Sequence, residues 1–189
     1  MKKRTMALLA AVLLVVGVAI GGTLAWLTAQ SDTVTNTFTT SDINITLAET
    51  TGNEYKMIPG HTITKDPKVT VTAGSEDCYL FVKLEKLNNY NDYLTYTVDD
   101  TLWQPVPNET DVYYRKVPKE EVGTDYYILK DNQVSVKGEV TKEMMNSLTE
   151  ATYPQLKITA YATQLYENNN TEFEVEDAWK KVKPSAVTP

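Results

Sequence analysis

Apolar and polar residues alternate with a period of two along most of this chain, which is the pattern of β-strands that bury one face. The segment CYLFVKLEKL, residues 78–87, carries apolar side chains at every second position from Cys78 to Leu84, and QLKITAYATQLYEN, residues 155–168, does the same from Leu156 to Ala162. Each segment predicts a long strand with one face in the core. The predicted core-facing rows are Leu80, Val82 and Leu84 in the first strand and Leu156, Ile158, Ala160 and Ala162 in the second.

Shorter alternating stretches occupy much of the remaining chain. Apolar residues share one face in residues 43–47, and Val69 and Val71 do so further on. Between residues 88 and 131, the segments TLWQPV, DVYYRKV and DYYILK are separated by PNET and PKEEVGT, whose Pro, Asn and Gly residues favour turns. We therefore predict a β-meander in this region.

Two segments have helical rather than alternating character. TKEMMNSL, residues 141–148, offers Thr141 as an N-cap, and EFEVEDAWKKVK, residues 172–183, has acids before Trp179 and lysines after it. Strand and helix patterns do not alternate regularly. The chain therefore predicts an all-β fold, a jelly-roll-like or immunoglobulin-like antiparallel β-sandwich with one or two short helices, after an N-terminal signal helix.

The N-terminus has the layout of a secretory signal peptide. Three basic residues, Lys2 to Arg4, precede a run without a polar side chain from Met6 to Ile20. Small residues at Thr23 and Ala25 predict cleavage after Ala25, which makes Trp26 the first mature residue. The alternative is an uncleaved anchor, because the apolar run approaches the roughly 20 residues that span a bilayer.

These boundaries predict a signal peptide at residues 1–25, a single sandwich domain at 26–183 and a disordered tail at 184–189. The three basic residues leave with the signal, so the net charge of the mature chain falls by three from −7. An acidic chain is a poor partner for nucleic acid. Membrane contact is expected only through the signal segment before cleavage.

Residues suited to catalysis or metal binding are few. His61 is the only histidine and Cys78 the only cysteine, so neither a zinc-protease pair nor an intramolecular disulfide can form. We expect no enzyme activity, no cofactor and no metal. Calcium at Glu76 and Asp77 is a minor alternative, and Cys78 is expected to be buried and inert.

Both ends of the chain resemble one protein family. GGTLAWLT leading to DTVTNTFTTSDINITL resembles the N-terminal pattern of the TasA and camelysin family of Gram-positive bacteria, and ITAYATQ followed by EDAWKKV looks like the ending of related proteins. The resemblance implies cleavage by a dedicated signal peptidase of the SipW type, a jelly-roll-like sandwich, and assembly into extracellular biofilm fibres. Camelysin-like members have been classed as metallopeptidases, but this chain lacks the histidines for that activity.

Cleavage would free an alternating segment, residues 26–40, which we predict to be a donor strand. A sandwich with an open edge can accept such a strand from a neighbour. Val34 and Phe38 would anchor in the acceptor's core, and Trp26 and Leu27 would add apolar contact. The partner would be the chain itself or a related fibre subunit. The alternative is that the segment pairs within its own subunit as an edge strand.

A different function would use the aromatic residues in the middle of the chain. Trp103, Tyr113 and Tyr114 lie between predicted turns, so exposed aromatic loops could bind a polymer such as cell-wall glycan. This would make the chain a monomeric surface-binding module rather than a fibre subunit. Either protein would be secreted to the cell surface or the extracellular matrix.

Overall fold

The computed structural model describes residues 42–52 and 54–184, and within them the chain is mostly β-structure. The strands are β1 (Ile45–Ala48), β2 (Thr62–Thr64), β3 (Lys68–Val71), β4 (Cys78–Leu87), β5 (Leu94–Val98), β6 (Gln104–Pro105), β7 (Val112–Val117), β8 (Asp125–Tyr127), β9 (Leu129–Val136), β10 (Gln155–Gln164), β11 (Tyr166–Asn168) and β12 (Thr171–Glu172). The helices are α1 (Tyr90–Tyr93), α2 (Lys142–Asn146) and α3 (Val175–Val182), with short 3-10 turns at Lys119–Glu121 and Glu150–Thr152.

The strands form small antiparallel sheets around a shared core. One sheet has the order β10-β4-β7-β6, a second has β1-β3-β8, a third has β2-β9-β5, and β11 and β12 form a hairpin. The predicted all-β fold class, an antiparallel sandwich with few short helices, is confirmed. The predicted long strands at residues 78–87 and 155–164 are β4 and β10.

Strand β4 is buried on both faces, and this places it at the centre of the domain. Leu80, Val82 and Leu84 point into the main core and are at most 1% exposed. Tyr79 and Phe81 point to the other side, where they join a second cluster with Trp179 of α3. The next two residues after Phe81 on this face of β4 are charged. Helix α3 therefore covers only the apolar half of the face.

Both predicted helices form, and each begins or ends as its residues indicate. The hydroxyl of Thr141 accepts a hydrogen bond from the backbone N–H of Met144, at 3.2 Å, and so caps α2. Helix α3 has Glu176 and Asp177 in its first turn, and lysines follow in its last turn. These charges oppose the helix dipole at both ends and stabilise a helix of only two turns.

The predicted β-meander between residues 88 and 131 is wrong. β6 and β7 pair with each other, and β7 also pairs with β4, but β5 pairs with β9 and β8 pairs with β3, so the region is divided among three sheets and does not form one continuous meander. The segment DYYILK is divided at Ile128, which is fully buried and donates its backbone N–H to the carbonyl of Pro67 at 2.9 Å. Tyr126, Ile128 and Leu129 are all buried in one core. Because successive residues of a regular strand face opposite sides, Ile128 and Leu129 can both face that core only where the strand is interrupted.

Replacing Trp179 with alanine should strongly destabilise the domain. The indole ring packs with its centroid 5.3 Å from the ring of Phe81 and 5.3 Å from that of Tyr161, and its side chain is 2% exposed. Truncating a buried tryptophan costs about 3–5 kcal/mol of unfolding free energy, which urea titration measures. Lys180→Ala, on the exposed side of the same helix, is the control and should leave the midpoint unchanged. Equal midpoints for both variants would contradict the packing role of α3.

Candidate functional site

Strand β10 forms one edge of the four-stranded sheet. It pairs with β4 along its whole length, from Gln155 opposite Leu87 to Gln164 opposite Cys78, without a shift in register. On its other side no strand among the described residues is hydrogen-bonded to it. Unpaired backbone groups along an edge are a template for pairing with another chain.

The length of this edge is unusual within the molecule. β10 has ten residues, whereas every other strand at the edge of a sheet in the described ranges has five or fewer. Short edge strands are one device by which proteins prevent unwanted pairing. β10 lacks that protection.

The core beneath β10 is incompletely covered. The core-facing side chains of neighbouring β4 are at most 1% exposed, whereas those of β10 are only half-buried. Both rows contact the same apolar cluster. An additional strand beside β10 would therefore remove apolar surface from water. The half-buried row is Leu156, Ile158, Ala160 and Ala162.

Strand β1 lies beside the free edge without pairing to it. Cα atoms of β1 and β10 approach within 8 Å, yet the pairing partner of β1 among the described strands is β3 alone. Leu47 of β1 is 40% exposed. A groove of about 190 Å³ lies between the two strands, and its lining residues are Leu47, Ala48, Glu49, Lys65, Pro67, Leu156 and Ile158.

Hydrogen bonds to Glu49 fix one rim of this groove. The ammonium nitrogen of Lys65 lies 2.8 and 2.7 Å from the two carboxylate oxygens of Glu49, and the hydroxyl of Tyr55 donates to the same carboxylate at 2.7 Å. The side chains of Lys65 and Glu49 are 13% and 22% exposed. The rim therefore presents a charge pair that is already satisfied.

A second carboxylate, Asp66, holds the loop that follows β1. It accepts the backbone N–H groups of Thr50 at 2.9 Å and Thr51 at 3.0 Å, and the hydroxyl groups of both threonines. These hydrogen bonds, that of the Thr50 hydroxyl above all, hold the pKa of Asp66 well below its ordinary value. The loop at the end of β1 is thus fastened by side-chain contacts instead of by regular structure.

The beginning of β1 is anchored through Ser75, a serine that is 1% exposed. The backbone N–H of Asn44 donates to the Ser75 hydroxyl at 3.0 Å, and that hydroxyl donates to the carbonyl of Thr72 at 2.7 Å. The N–H of Thr72 donates in turn to the carbonyl of Asn44, at 2.8 Å. These contacts fix the place at which the preceding chain leaves the described domain. Nothing in the sequence around Ser75 singled it out for this role.

Thr23, Ala25 and Trp26 of the cleavage site lie outside the described residues, as do Leu27, Val34 and Phe38 of the donor strand. So does the end of the predicted disordered tail, residues 185–189. These predictions stay predictions.

The predicted aromatic loops are not exposed as that hypothesis requires. Trp103 is 2% exposed, and its indole N–H donates to the carbonyl of Tyr127 at 2.8 Å. Tyr113 and Tyr114 lie half-buried in β7. These aromatic side chains therefore contribute to packing more than to an open binding surface.

The candidate calcium residues are occupied by contacts within the protein. The ammonium group of Lys119 lies 2.8 Å from the carboxylate of Glu76, and the backbone N–H of Lys119 donates to Asp77 at 2.7 Å. Among the described residues, no group of three or more His, Cys, Asp or Glu side chains is placed to hold a metal ion.

Cys78 begins β4 and is fully buried, as predicted. Burial in the apolar core raises the pKa of its thiol to about 11. Because the thiolate is the nucleophilic form, this cysteine is not activated for chemistry at neutral pH. His61, the only histidine, is exposed and lies immediately before β2.

Comparison of the chain with protein-family models, with curated proteins and with solved structures gives no match. Within residues 42–52 and 54–184, no helix has the length and apolar character needed to cross a membrane. The geometry of the free β10 edge is therefore the main functional indication in the described domain.

The buried thiol of Cys78 should be inert towards alkylation. At pH 8 iodoacetamide should leave the folded protein unmodified, because a pKa of about 11 keeps the thiol protonated and burial blocks access. Mass spectrometry should show complete modification in urea, and Cys78→Ser should show none in either state. Rapid modification of the folded chain would contradict the buried position.

Substituting Asp66 with alanine should loosen the loop after β1. The amides of Thr50 and Thr51 should exchange their hydrogens faster, because each donates to that carboxylate. Since the pKa is lowered on folding, the carboxylate favours the folded state above its ordinary value of 3.8, and the contribution is lost as the pH falls below it. The control Asp177→Ala removes a remote carboxylate and should leave both amides unchanged. Unchanged exchange in both variants would show that other contacts hold the loop.

Proposed function

We propose that this chain is a secreted subunit, or an accessory subunit, of an extracellular biofilm fibre, and that it polymerises by β-strand donation. The observation that carries the proposal is the ten-residue edge of β10, which pairs with no second strand among the described residues and lies over an incompletely covered apolar row. In this account residues 26–40 of one copy pair with that edge in the next copy. Backbone hydrogen bonds supply affinity, and alternate side chains entering the core supply specificity.

The positions of the anchor and the groove favour an open chain over a closed dimer. Asn44 is held beside Ser75, and Ser75 is close in sequence to Cys78. Cys78 pairs with Gln164, the last residue of β10, so the donor segment leaves its own subunit near that end. The groove lies near the opposite end, at Leu156 and Ile158. Seven residues of strand separate residue 157 from Gln164, about 23 Å. A donor that leaves from one end and binds near the other adds subunits head to tail, which produces fibres.

The length of the N-terminal segment suits this arrangement. Fifteen residues from 26 to 40 extend to roughly 50 Å, whereas the ten residues of β10 span about 33 Å. The segment is therefore long enough to leave its own subunit and cover the whole edge of a neighbour. Residues 26–40 include a single charged residue, Asp32, which is consistent with burial against an apolar row.

The family resemblance at the two chain ends supports the biological setting. It implies secretion, processing by a dedicated signal peptidase, a jelly-roll-like connectivity and a place in the biofilm matrix or on the cell surface of a Gram-positive bacterium. Partners would be further copies of this chain or related fibre subunits. The alternative of a glycan-binding module has less support, because the Trp103 side chain is buried.

Charged residues on one face of the proposed donor strand should abolish assembly. We expect the chain beginning at Trp26 to form fibres visible by negative-stain electron microscopy, and Val34→Asp with Phe38→Asp to remain a folded monomer by size-exclusion chromatography. Burying two carboxylates without partners is strongly unfavourable. Thr33→Asp with Thr37→Asp has the same charge and spacing on the opposite face and should still assemble.

Two results would contradict this proposal. Fibres from the Val34 and Phe38 variant would show that these side chains are not buried at a junction. An unfolded Val34 and Phe38 variant would show that the segment belongs to the core of its own subunit. A chain beginning at Ser41 keeps the β10 edge but lacks the donor segment. Under the proposal it should therefore form no fibres by itself.

A further inference from the structure

We infer that the groove beside β10 receives the side chain of Phe38 from a second copy, and that this contact sets the register of the added strand. This inference rests on the proposed function and specifies its molecular contact. The donor strand would run antiparallel to β10, with Phe38 opposite Ile158 and Val34 opposite Ala162.

The size and chemistry of the groove fit one large apolar side chain. Its volume of about 190 Å³ is several times the roughly 30 Å³ that one water occupies in the liquid. Leu47, Leu156 and Ile158 line it, and they are only partly buried. The charges at the rim, Glu49 and Lys65, already pair with each other. The groove therefore combines apolar contact from these three side chains with a polar rim whose charges are already paired.

The chain length selects Phe38 over the other apolar residues of the segment. Six residues separate Phe38 from the anchored Asn44, a reach of about 20 Å, whereas Trp26 is 18 residues away, about 59 Å. In a head-to-tail arrangement the donor enters the neighbour at the Gln155 end of β10, where the groove lies. Phe38 is the first large apolar residue to arrive there.

The direction of entry fixes the strand orientation. Residues nearer the donor's own domain lie at the Gln155 end, and earlier residues extend towards Gln164, so the strand is antiparallel to β10. Pairing Phe38 with Ile158 places Asn36 opposite Ala160 and Val34 opposite Ala162. The small alanine side chains leave room for the donor's side chains at those two positions.

Insertion also requires a movement of β1. Two strands that flank an inserted strand lie about 9.6 Å apart, twice the spacing of neighbouring strands, but β1 approaches within 8 Å of β10. β1 has only four residues, and three of them are exposed. An outward shift of β1 therefore exposes little additional side-chain surface, but it must also carry along or break the pairing with β3 and the hydrogen bond between Asn44 and Ser75.

Disulfide trapping between two differently substituted chains tests the register. In this register Thr37 of the donor lies opposite Thr159 of the acceptor, on the face away from the groove, so neither substitution alters the groove. We expect Thr37→Cys chains mixed with Thr159→Cys chains, both beginning at Trp26, to form disulfide-linked dimers under mild oxidation. Donors with Thr35→Cys or Thr39→Cys are matched controls. Each places the donor thiol two residues further along the same face of the strand, away from residue 159 of the acceptor, so neither should form the link.

The outcomes separate the inference from the proposed function. If fibres form but the disulfide appears with the donors substituted at residue 35 or 39, or with none of the donors, the proposed register is wrong. Strand donation itself would then still stand. Failure of the unsubstituted chain to form fibres would overturn both. A single chain with Thr37→Cys and Thr159→Cys that links internally at high dilution would show that the segment pairs with its own subunit, which also overturns the inference.

A truncation at the same contact provides a second measurement. Phe38→Ala should raise the critical concentration for assembly about tenfold or more, because it empties the groove. Val34→Ala removes fewer atoms opposite a small residue and should raise it less. Equal effects of the two substitutions would contradict a special role for the groove.

Discussion

The two-sided burial of β4 is the constraint on which the rest of the structure depends. Its core-facing row packs against the other two sheets, and Tyr79 and Phe81 on its other face require the cover that α3 provides. A central strand of this kind needs a neighbour on each side, and β7 and β10 fill those places. Because nothing beyond β10 is paired to it among the described residues, the strand that completes the centre also forms the longest open edge.

The same edge differs from the others in how well it is protected. The remaining edge strands are short, so each offers few free backbone groups, whereas β10 keeps a regular register over ten residues. Lys157 is the only charged side chain along β10. A regular edge above a partly exposed apolar row is costly for a monomer in water and favourable for one that receives another strand.

The sequence predicts the elements that depend on local patterns. Alternation identifies β4 and β10, and a capping threonine and ordered charges identify α2 and α3. Sheet membership between residues 88 and 131 depends on contacts distant in sequence, and for this reason the β-meander prediction failed at Ile128. The burial of Trp103 likewise depends on the carbonyl of Tyr127, which local sequence does not reveal.

The groove itself could not be predicted from the sequence. Leu47 and Ile158 are more than 100 residues apart, and neither carries a motif, so only the folded arrangement places them together. The anchor at Ser75 is similar, because a serine in a loop is ordinarily exposed. The proposed donor segment came from the N-terminal pattern and a family resemblance, and the described domain independently provides an edge of suitable length.

Amide hydrogen exchange along residues 155–164 tests the central claim most directly. The chain beginning at Trp26 would be measured as a dilute monomer and after assembly, with residues 94–98 of β5 as an internal reference. We predict that exchange slows along β10 on assembly and stays unchanged in β5, because the β10 edge gains a hydrogen-bonded neighbour and β5 does not. Fibres that form while exchange along β10 remains the same would contradict the account, since the added strand would then lie elsewhere.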